Sequence, residues 1–180
     1  NTDFLFSGRM YQKNGMMQIN QDKYKSYNLR AKINTKVNKW LTIGNNLQFN
    51  ASNYNYPGWG VNANFVSVSV HALPSYLPMN PDGTATYRTE LNNYTIGDGL
   101  FADLLHGKSK GNEKEYEFIN LFNVTAHFAE GLELKGNYTY TFKPSSNWQR
   151  RAQAPWSIYP GVISQFGFDQ YYETNYTRQS

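Results

Sequence analysis

From Tyr27 to Val37 the chain alternates without a break. Tyr27, Leu29, Ala31, Ile33, Thr35 and Val37 fall on one side, and Asn28, Arg30, Lys32, Asn34 and Lys36 on the other. Successive side chains of an extended chain point to opposite faces, so this run predicts a strand with one apolar and one ionic face. After Asn38-Lys39-Trp40 a second run repeats the pattern, with Leu41, Ile43, Leu47, Phe49 and Ala51 set against Thr42, Gly44, Asn46, Gln48, Asn50 and Ser52. Together they form a long amphipathic hairpin. A weaker alternation covers residues 3–13, where Leu5 interrupts the polar side, and another covers 116–128, where Ile119 and Leu121 do the same. The cleanest late run opposes Leu132, Leu134, Gly136, Tyr138, Tyr140 and Phe142 to Glu133, Lys135, Asn137, Thr139, Thr141 and Lys143. The reading is all-β and antiparallel, with five strands at about 3–13, 26–37, 41–54, 116–128 and 132–143.

The connections are unequal. Residues 38–40 and 129–131 make short turns, whereas 14–25, 53–115 and 144–180 read as loops. Compact soluble domains rarely hold irregular loops longer than about 15 residues, while outer-membrane barrels pair short turns at one end with long loops at the other. Strand length agrees: a run such as 27–37, at about 3.3 Å per residue and tilted by about 45°, covers roughly the 25 Å apolar band of such a barrel. Trp40 beside a short turn, and Tyr54, Tyr56 and Trp59 at the far end of the third strand, suit two aromatic girdles; general β-propensity accounts for aromatics there equally well. Within the long excursion, Asp98 reads as the N-cap and Gly107 as the end of a short helix. Asn14-Gly15 and Pro78 to Gly83 read as turns. The segment 65–73 fits strand and helix alike.

Composition narrows the classes. The chain is 17% charged and 17% aromatic, with a net charge of +4, no cysteine and a mean hydropathy of −0.69. No window approaches the run of about 20 apolar residues that a spanning helix needs. Low hydropathy does not argue against membrane strands, because half of their residues face a polar lumen. Without cysteine there is neither a disulfide framework nor a thiolate metal site. The basic residues are scattered along strands rather than gathered in a block, so nucleic acid is not expected as a partner.

Specific motifs point further. Ser7-Gly8-Arg9-Met10-Tyr11-Gln12-Lys13-Asn14-Gly15, then Tyr27-Asn28-Leu29-Arg30 through Asn38-Lys39-Trp40-Leu41-Thr42-Ile43-Gly44, resemble barrel strands of SusC/RagA-type TonB-linked outer-membrane transporters. Ala72 to Thr84, with its Leu-Pro-Met-Asn-Pro-Asp-Gly core, and the hairpin Glu130 to Tyr140 resemble them too, so the similarity runs from residue 4 to about 143. It implies an internal piece of a β-barrel of about 22 strands in the outer membrane of a Gram-negative, Bacteroidetes-type bacterium. The plug and the TonB-contacting segment would lie outside this stretch. It further implies uptake of oligosaccharides or peptides with a SusD-like surface lipoprotein and the TonB complex as partners. An open sheet in lipid leaves unpaired backbone groups at its edges, so neighbouring strands are expected on both sides.

Chemistry is sparse by comparison. His71, His106 and His127 are far apart with no ligand-spaced companions, so no metal or other cofactor is expected. No nucleophile elbow, P-loop or dinucleotide motif occurs, and no catalytic residue is assigned. Glu113, Glu115 and Glu117 read as a solvated charge run, and the Asn-X-Ser/Thr triplets at Asn50, Asn93, Asn123, Asn137 and Asn175 as chance products of composition. The candidate substrate contacts are Trp59, Tyr76, Trp148 and Trp156, assigned to the outer loops, where aromatic rings can stack on sugars or simply pack on each other. Arg150-Arg151 and Lys108 with Lys110 could contact lipopolysaccharide phosphates or acidic glycans, but solvated surface charge is the preferred reading. Arg30, Lys32, Lys36 and Lys135 would face the lumen or the plug. Two other readings have their own signatures: a soluble β-sandwich that binds carbohydrate needs a second sheet on the first, and a glycosidase needs two carboxylates about 5–10 Å apart across a cleft.

Overall fold

The computed structural model describes residues 2–71, 74–88 and 96–180. Six strands form one antiparallel sheet: β1 (Thr2–Asn14), β2 (Lys23–Lys36), β3 (Leu41–Pro57), β4 (Lys110–Ala129), β5 (Leu132–Arg151) and a late strand, Gln170–Gln179. Between β5 and that late strand lie β6 (Ala154–Ser157) and β7 (Ile163–Phe166), which pair in a hairpin of their own, so the late strand is β8. The sheet order is β1-β2-β3-β4-β5-β8, each strand beside its sequence neighbour apart from the β6–β7 insertion. The long excursion holds α1 (Val61–His71), a 3-10 turn (Ile96–Gly99) and α2 (Leu100–His106).

The predicted hairpins are present, and their turns have local causes. In the β2–β3 turn the Asn38 side-chain oxygen accepts from the backbone N–H of Trp40 (3.0 Å) and of Leu41 (2.8 Å), the self-capping habit of asparagine in turns. Gly131 closes the β4–β5 turn at φ 79°, beside a bulge at Phe128. The connection after β1 is wider than a tight Asn-Gly turn. It spans residues 15–22 and is closed by the Gly15 N–H on the Asp22 carbonyl at 2.9 Å.

Several expectations are corrected. The sheet has six strands, not five, and residues 144–180 are largely strand. Pro144 does not end β5. The pairing to β4 skips Lys143 and Pro144 and resumes at Ser145 in unchanged register, while Pro144 pairs with Thr177 on the other side. A proline lacks only one ladder donor, and a long strand tolerates that gap. The predicted starts at 26 and 116 move back to Lys23 and Lys110, and the third strand reaches Pro57. Residues 61–71 settle as helix; Ala72 and Leu73 lie outside the described residues, as does Asn93. The N-cap position of the short helix is Gly99, at φ 77°, one residue after the expected Asp98, and the helix ends as expected at Gly107, whose N–H reaches the Asp103 carbonyl at 2.8 Å.

Register decides what each face of the sheet carries. Phe4, Ile33, Asn45, Phe122 and Tyr138 are successive partners, as are Gly8, Leu29, Phe49, Phe118 and Phe142. The apolar positions of five strands therefore fuse into one continuous block. Among the described residues no protein layer covers it: Leu29, Ile33, Leu134 and Tyr138 are 46%, 51%, 62% and 67% exposed. One polar pair interrupts the block, Asn45 donating to Asn120 at 2.6 Å. The block stops along a single line of partners, Gln12–Lys25–Asn53–Lys114–Ser146–Asn175, beyond which neither face keeps a continuous apolar row.

The buried core lies elsewhere. Ala85, Ala102 and Ala154 are buried beneath Leu105, Trp156 and Phe166, in a cap built from the excursion and the β6–β7 hairpin at the long-loop end. Hydrogen bonds cross-link it: Ser157 N–H to Ala85 O (2.8 Å), Gly161 N–H to an Asp82 carboxylate oxygen (3.0 Å), and Ser109, which accepts from the Ala152 N–H (2.9 Å). A sandwich would set a second sheet over the apolar block; the other sheet among the described residues is the two-stranded β6–β7.

Candidate functional site

The ionic face is where side chains of different strands converge. Even-numbered β2 residues share it with odd-numbered β1, even-numbered β3 and odd-numbered β4 and β5 residues. Arg30, Lys32, Lys36 and Lys135 all lie on it, Lys36 and Lys135 at the ends of one row through Thr42 and Thr125. Arg30 donates from Nε to Asn46 at 3.0 Å, and Lys135 pairs with Glu133 at 3.2 Å. Higher on the same face a polar chain runs from Asn28 through Asn50 to Glu117, each bond 2.8 Å, and Lys143 pairs with Glu115 at 3.4 Å. Glu113, Glu115 and Glu117 thus form a column up β4. Glu113 and Glu115 are exposed, as a solvated run should be, whereas Glu117 is half-buried, and all three point to one side.

Beside that column is an open cleft of about 570 Å³, lined by Lys13, Asp22, Tyr24, Tyr54, Glu113 and Glu115 among others. Tyr24 and Tyr54 line it, and Tyr11 and Tyr56 extend them on either side into a strip of four rings. Tyr11 and Tyr24 have ring centroids 6.2 Å apart, Tyr24 and Tyr54 6.5 Å, and Tyr54 and Tyr56 5.4 Å with nearly parallel planes. Their hydroxyls help to fix the strip: Tyr54 donates to Asp22 (3.1 Å) and Tyr56 to Asn147 (3.2 Å). Gly111, the register partner of Tyr56, has no side chain, and the Tyr56 ring occupies the space that a Cβ would take. The strip and the carboxylates therefore offer flat apolar rings beside hydrogen-bond acceptors, the mixture found in small-molecule pockets.

These tyrosines correct the girdle assignment. Tyr54 and Tyr56 are on the ionic face with Arg30, not at the rim of the apolar block. The outward aromatics beyond that rim are Trp148 and Tyr171, whose rings stack at 6.4 Å. Trp148 is accordingly a strand residue rather than a loop residue. Trp40 remains at the short-turn end, stacked on Phe128 at 6.3 Å.

The four aromatics expected to contact substrate do not form one site. Trp59 and Trp156 both sit in the cap, linked by packing through Phe166 and Tyr87: Trp59–Phe166 6.3 Å, Tyr87–Phe166 5.1 Å, Tyr87–Trp156 5.0 Å. Arg151 lies 4.0 Å over the Trp59 ring, so that indole is covered by a cation. Tyr76 is in a separate turn, half-buried. Alternation in the sequence carries a signal for the tyrosine strip, since Tyr24 and Tyr54 hold the parity of polar neighbours; register alone brings them together with Tyr11.

Within the cap, Asp103 is 1% exposed. Burial pushes its carboxyl above the usual aspartate range, against the opposing effects of a Ser109 hydrogen bond and the nearby Arg151 charge. Asp82 is held below that range by hydrogen bonds from Thr84 and Gly161, the geometry of a fastened turn. His106 contacts the Gly83 carbonyl at 2.9 Å, and His127 lies 4.0 Å from Glu133 on the ionic face. The sequence matches no protein-family model and no curated protein.

Proposed function

We propose that this chain is a stretch of wall from a TonB-dependent outer-membrane importer of SusC type, taking up oligosaccharides or peptides with a SusD-like lipoprotein. One observation carries the reading: a continuous apolar block spans five strands with none of the described residues layered over it, while the opposite face is ionic. Water is a poor solvent for so large an apolar surface, since soluble monomers rarely expose contiguous patches beyond a few hundred Å². Acyl chains are the natural solvent for it, and a closed barrel supplies the ladder partners that the two sheet edges need in lipid. Short turns at one end and long, helix-bearing excursions at the other support the same reading.

In this frame the ionic face lines the lumen, and the tyrosine strip with Asp22, Glu113 and Glu115 is the segment's contribution to substrate contact. Its three carboxylates outnumber the one ammonium group lining it, Lys13, by two, which favours neutral glycans over anionic ones. TonB coupling belongs to parts of the protein outside these residues. The test is fractionation of cells making the intact protein, followed by electrophoresis with and without boiling. Recovery in the outer membrane with a heat-modifiable mobility is expected; recovery in the cytosol ends the proposal. Tyr24→Ala in the intact protein should weaken capture of a neutral oligosaccharide about tenfold, within the range of one well-placed aromatic, while Tyr24→Phe keeps it.

A further inference from the structure

Beyond the line Gln12–Lys25–Asn53–Lys114–Ser146–Asn175 the strands stop sorting by hydropathy and begin to sort by charge. In β4, Lys110 and Lys114 point to the side of the apolar block, and Glu113, Glu115 and Glu117 to the ionic side. The same side as the block carries Lys23 and Lys25 from β2 and Arg150 from β5, with Lys110 the direct partner of Arg150. All five cations are exposed, and none forms an ion pair among the described residues. The carboxylate on that side, Glu173, is occupied by its own strand, accepting from Tyr171 (2.9 Å) and Asn175 (3.2 Å). The stacked Trp148–Tyr171 pair lies among these cations.

We propose that Lys23, Lys25, Lys110, Lys114 and Arg150 form an outward basic belt that binds the phosphate groups of anionic lipid headgroups at the edge of the bilayer. The inference rests on the membrane reading above. The apolar block fixes where acyl chains end, so the next residues outward along the same face meet headgroups. Cations there gain from the anionic surface, and paired aromatics suit the same interfacial zone. The register also sorts the basic candidates named from sequence. Lys110 and Arg150 belong to the belt, whereas Arg151 is turned inward over Trp59 and Lys108 precedes β4.

The test uses the intact protein, delipidated in detergent and moved into phosphatidylcholine nanodiscs with or without lipid A, with inorganic phosphate as a separate arm. Lipid retention is read by native mass spectrometry. The wild type should retain lipid A, while the combined Lys110→Gln, Lys114→Gln, Arg150→Gln variant should bind it roughly 100-fold more weakly, about fivefold per cation. High salt should erase the difference. The matched ionic-face variant, Lys32→Gln, Lys36→Gln, Lys135→Gln, should retain lipid as the wild type does. The single variants Lys114→Gln and Arg150→Gln should each give a graded loss if the triple variant fails to enter nanodiscs. Equal retention by the belt variants, equal loss from the ionic-face variant, or competition by inorganic phosphate alone would overturn the belt. Failure of the wild type to enter any nanodisc would instead defeat the membrane reading.

Discussion

The sheet below the line of Lys25 and Lys114 and the cap above it are stabilised by opposite means. In the lower sheet, aromatic and branched residues such as Phe4, Ile33, Phe122 and Tyr138 line up across strands yet bury little against one another. In the cap, small residues disappear entirely: Ala85, Ala102 and Ala154 are at 0% exposure, under Trp156 and Phe166. The cap is organised as a soluble protein is, around an internal core and fastened turns. The lower sheet leaves its apolar surface uncovered by the described residues, which is the arrangement expected where lipid replaces the core.

The largest effect should separate the two faces of the lower sheet. Tyr138→Arg puts a charge in the middle of the apolar block and is expected to cost about 2–4 kcal/mol of folding stability in lipid vesicles. Thr139→Arg, one residue on and facing the ionic side, should stay within about 0.5 kcal/mol. Equal costs, measured by denaturant titration in vesicles, would erase the distinction between the faces.

Next comes the polar pair inside the block. Asn45→Ala strands the amide of Asn120 and should cost about 1–3 kcal/mol, whereas Asn45→Leu combined with Asn120→Leu should be close to neutral. A double-mutant cycle reads the coupling, and additive single effects would mean that the bond is idle. Gly58→Ala probes the cap instead. An added Cβ would fall 2.7 Å from the Ser109 carbonyl carbon and 2.8 Å from the Lys110 nitrogen, a backbone clash worth about 1–3 kcal/mol. Proteolysis should then quicken in 58–109 while β1 to β3 stay protected.

Asp103 sharpens the cap's chemistry with a smaller effect. Its folded-state pKa is raised, so the folded cap holds the proton more tightly than the unfolded chain does. Its contribution is therefore most favourable below the unfolded value of about 3.9, and declines as pH rises from there through the folded pKa. Asp103→Asn should flatten that dependence in pH-resolved hydrogen exchange of α2; an unchanged slope would assign it to another group. The smallest effect is expected for Lys135→Ala, which removes an exposed pair with Glu133 worth about 0–1 kcal/mol.

The same division governs what could be read from the chain. Where one face meets a poor solvent for charge, alternation is enforced, and residues 27–37, 41–51 and 132–142 announce their strands and faces. Near and beyond the rim neither face holds a continuous apolar row, so Lys-Gly-Asn-Glu-Lys-Glu at 110–115, Ser145 to Arg151 and β8 carry no hydropathy alternation and read as loop. Charge alternation in 110–115 was the surviving trace. The placement of Arg30, Lys32, Lys36 and Lys135 on one ionic face follows from parity. The tyrosine strip did not, because parity gives a residue's side but only register gives its neighbours. Trp59, Tyr76, Trp148 and Trp156 were grouped because of their residue type, and topology separates them.

Because these 180 residues contain no cysteine, single cysteines placed in this segment give the most direct measurement. A fluorophore at Ile33→Cys, Leu134→Cys or Tyr138→Cys in the intact protein should be quenched strongly by brominated lipid and weakly by iodide. At Lys32→Cys, Lys135→Cys or Thr139→Cys the order should reverse. Equal quenching of the two sets, or protection of the first set from both quenchers by a dry protein interior, would contradict a sheet whose apolar side is dissolved in lipid.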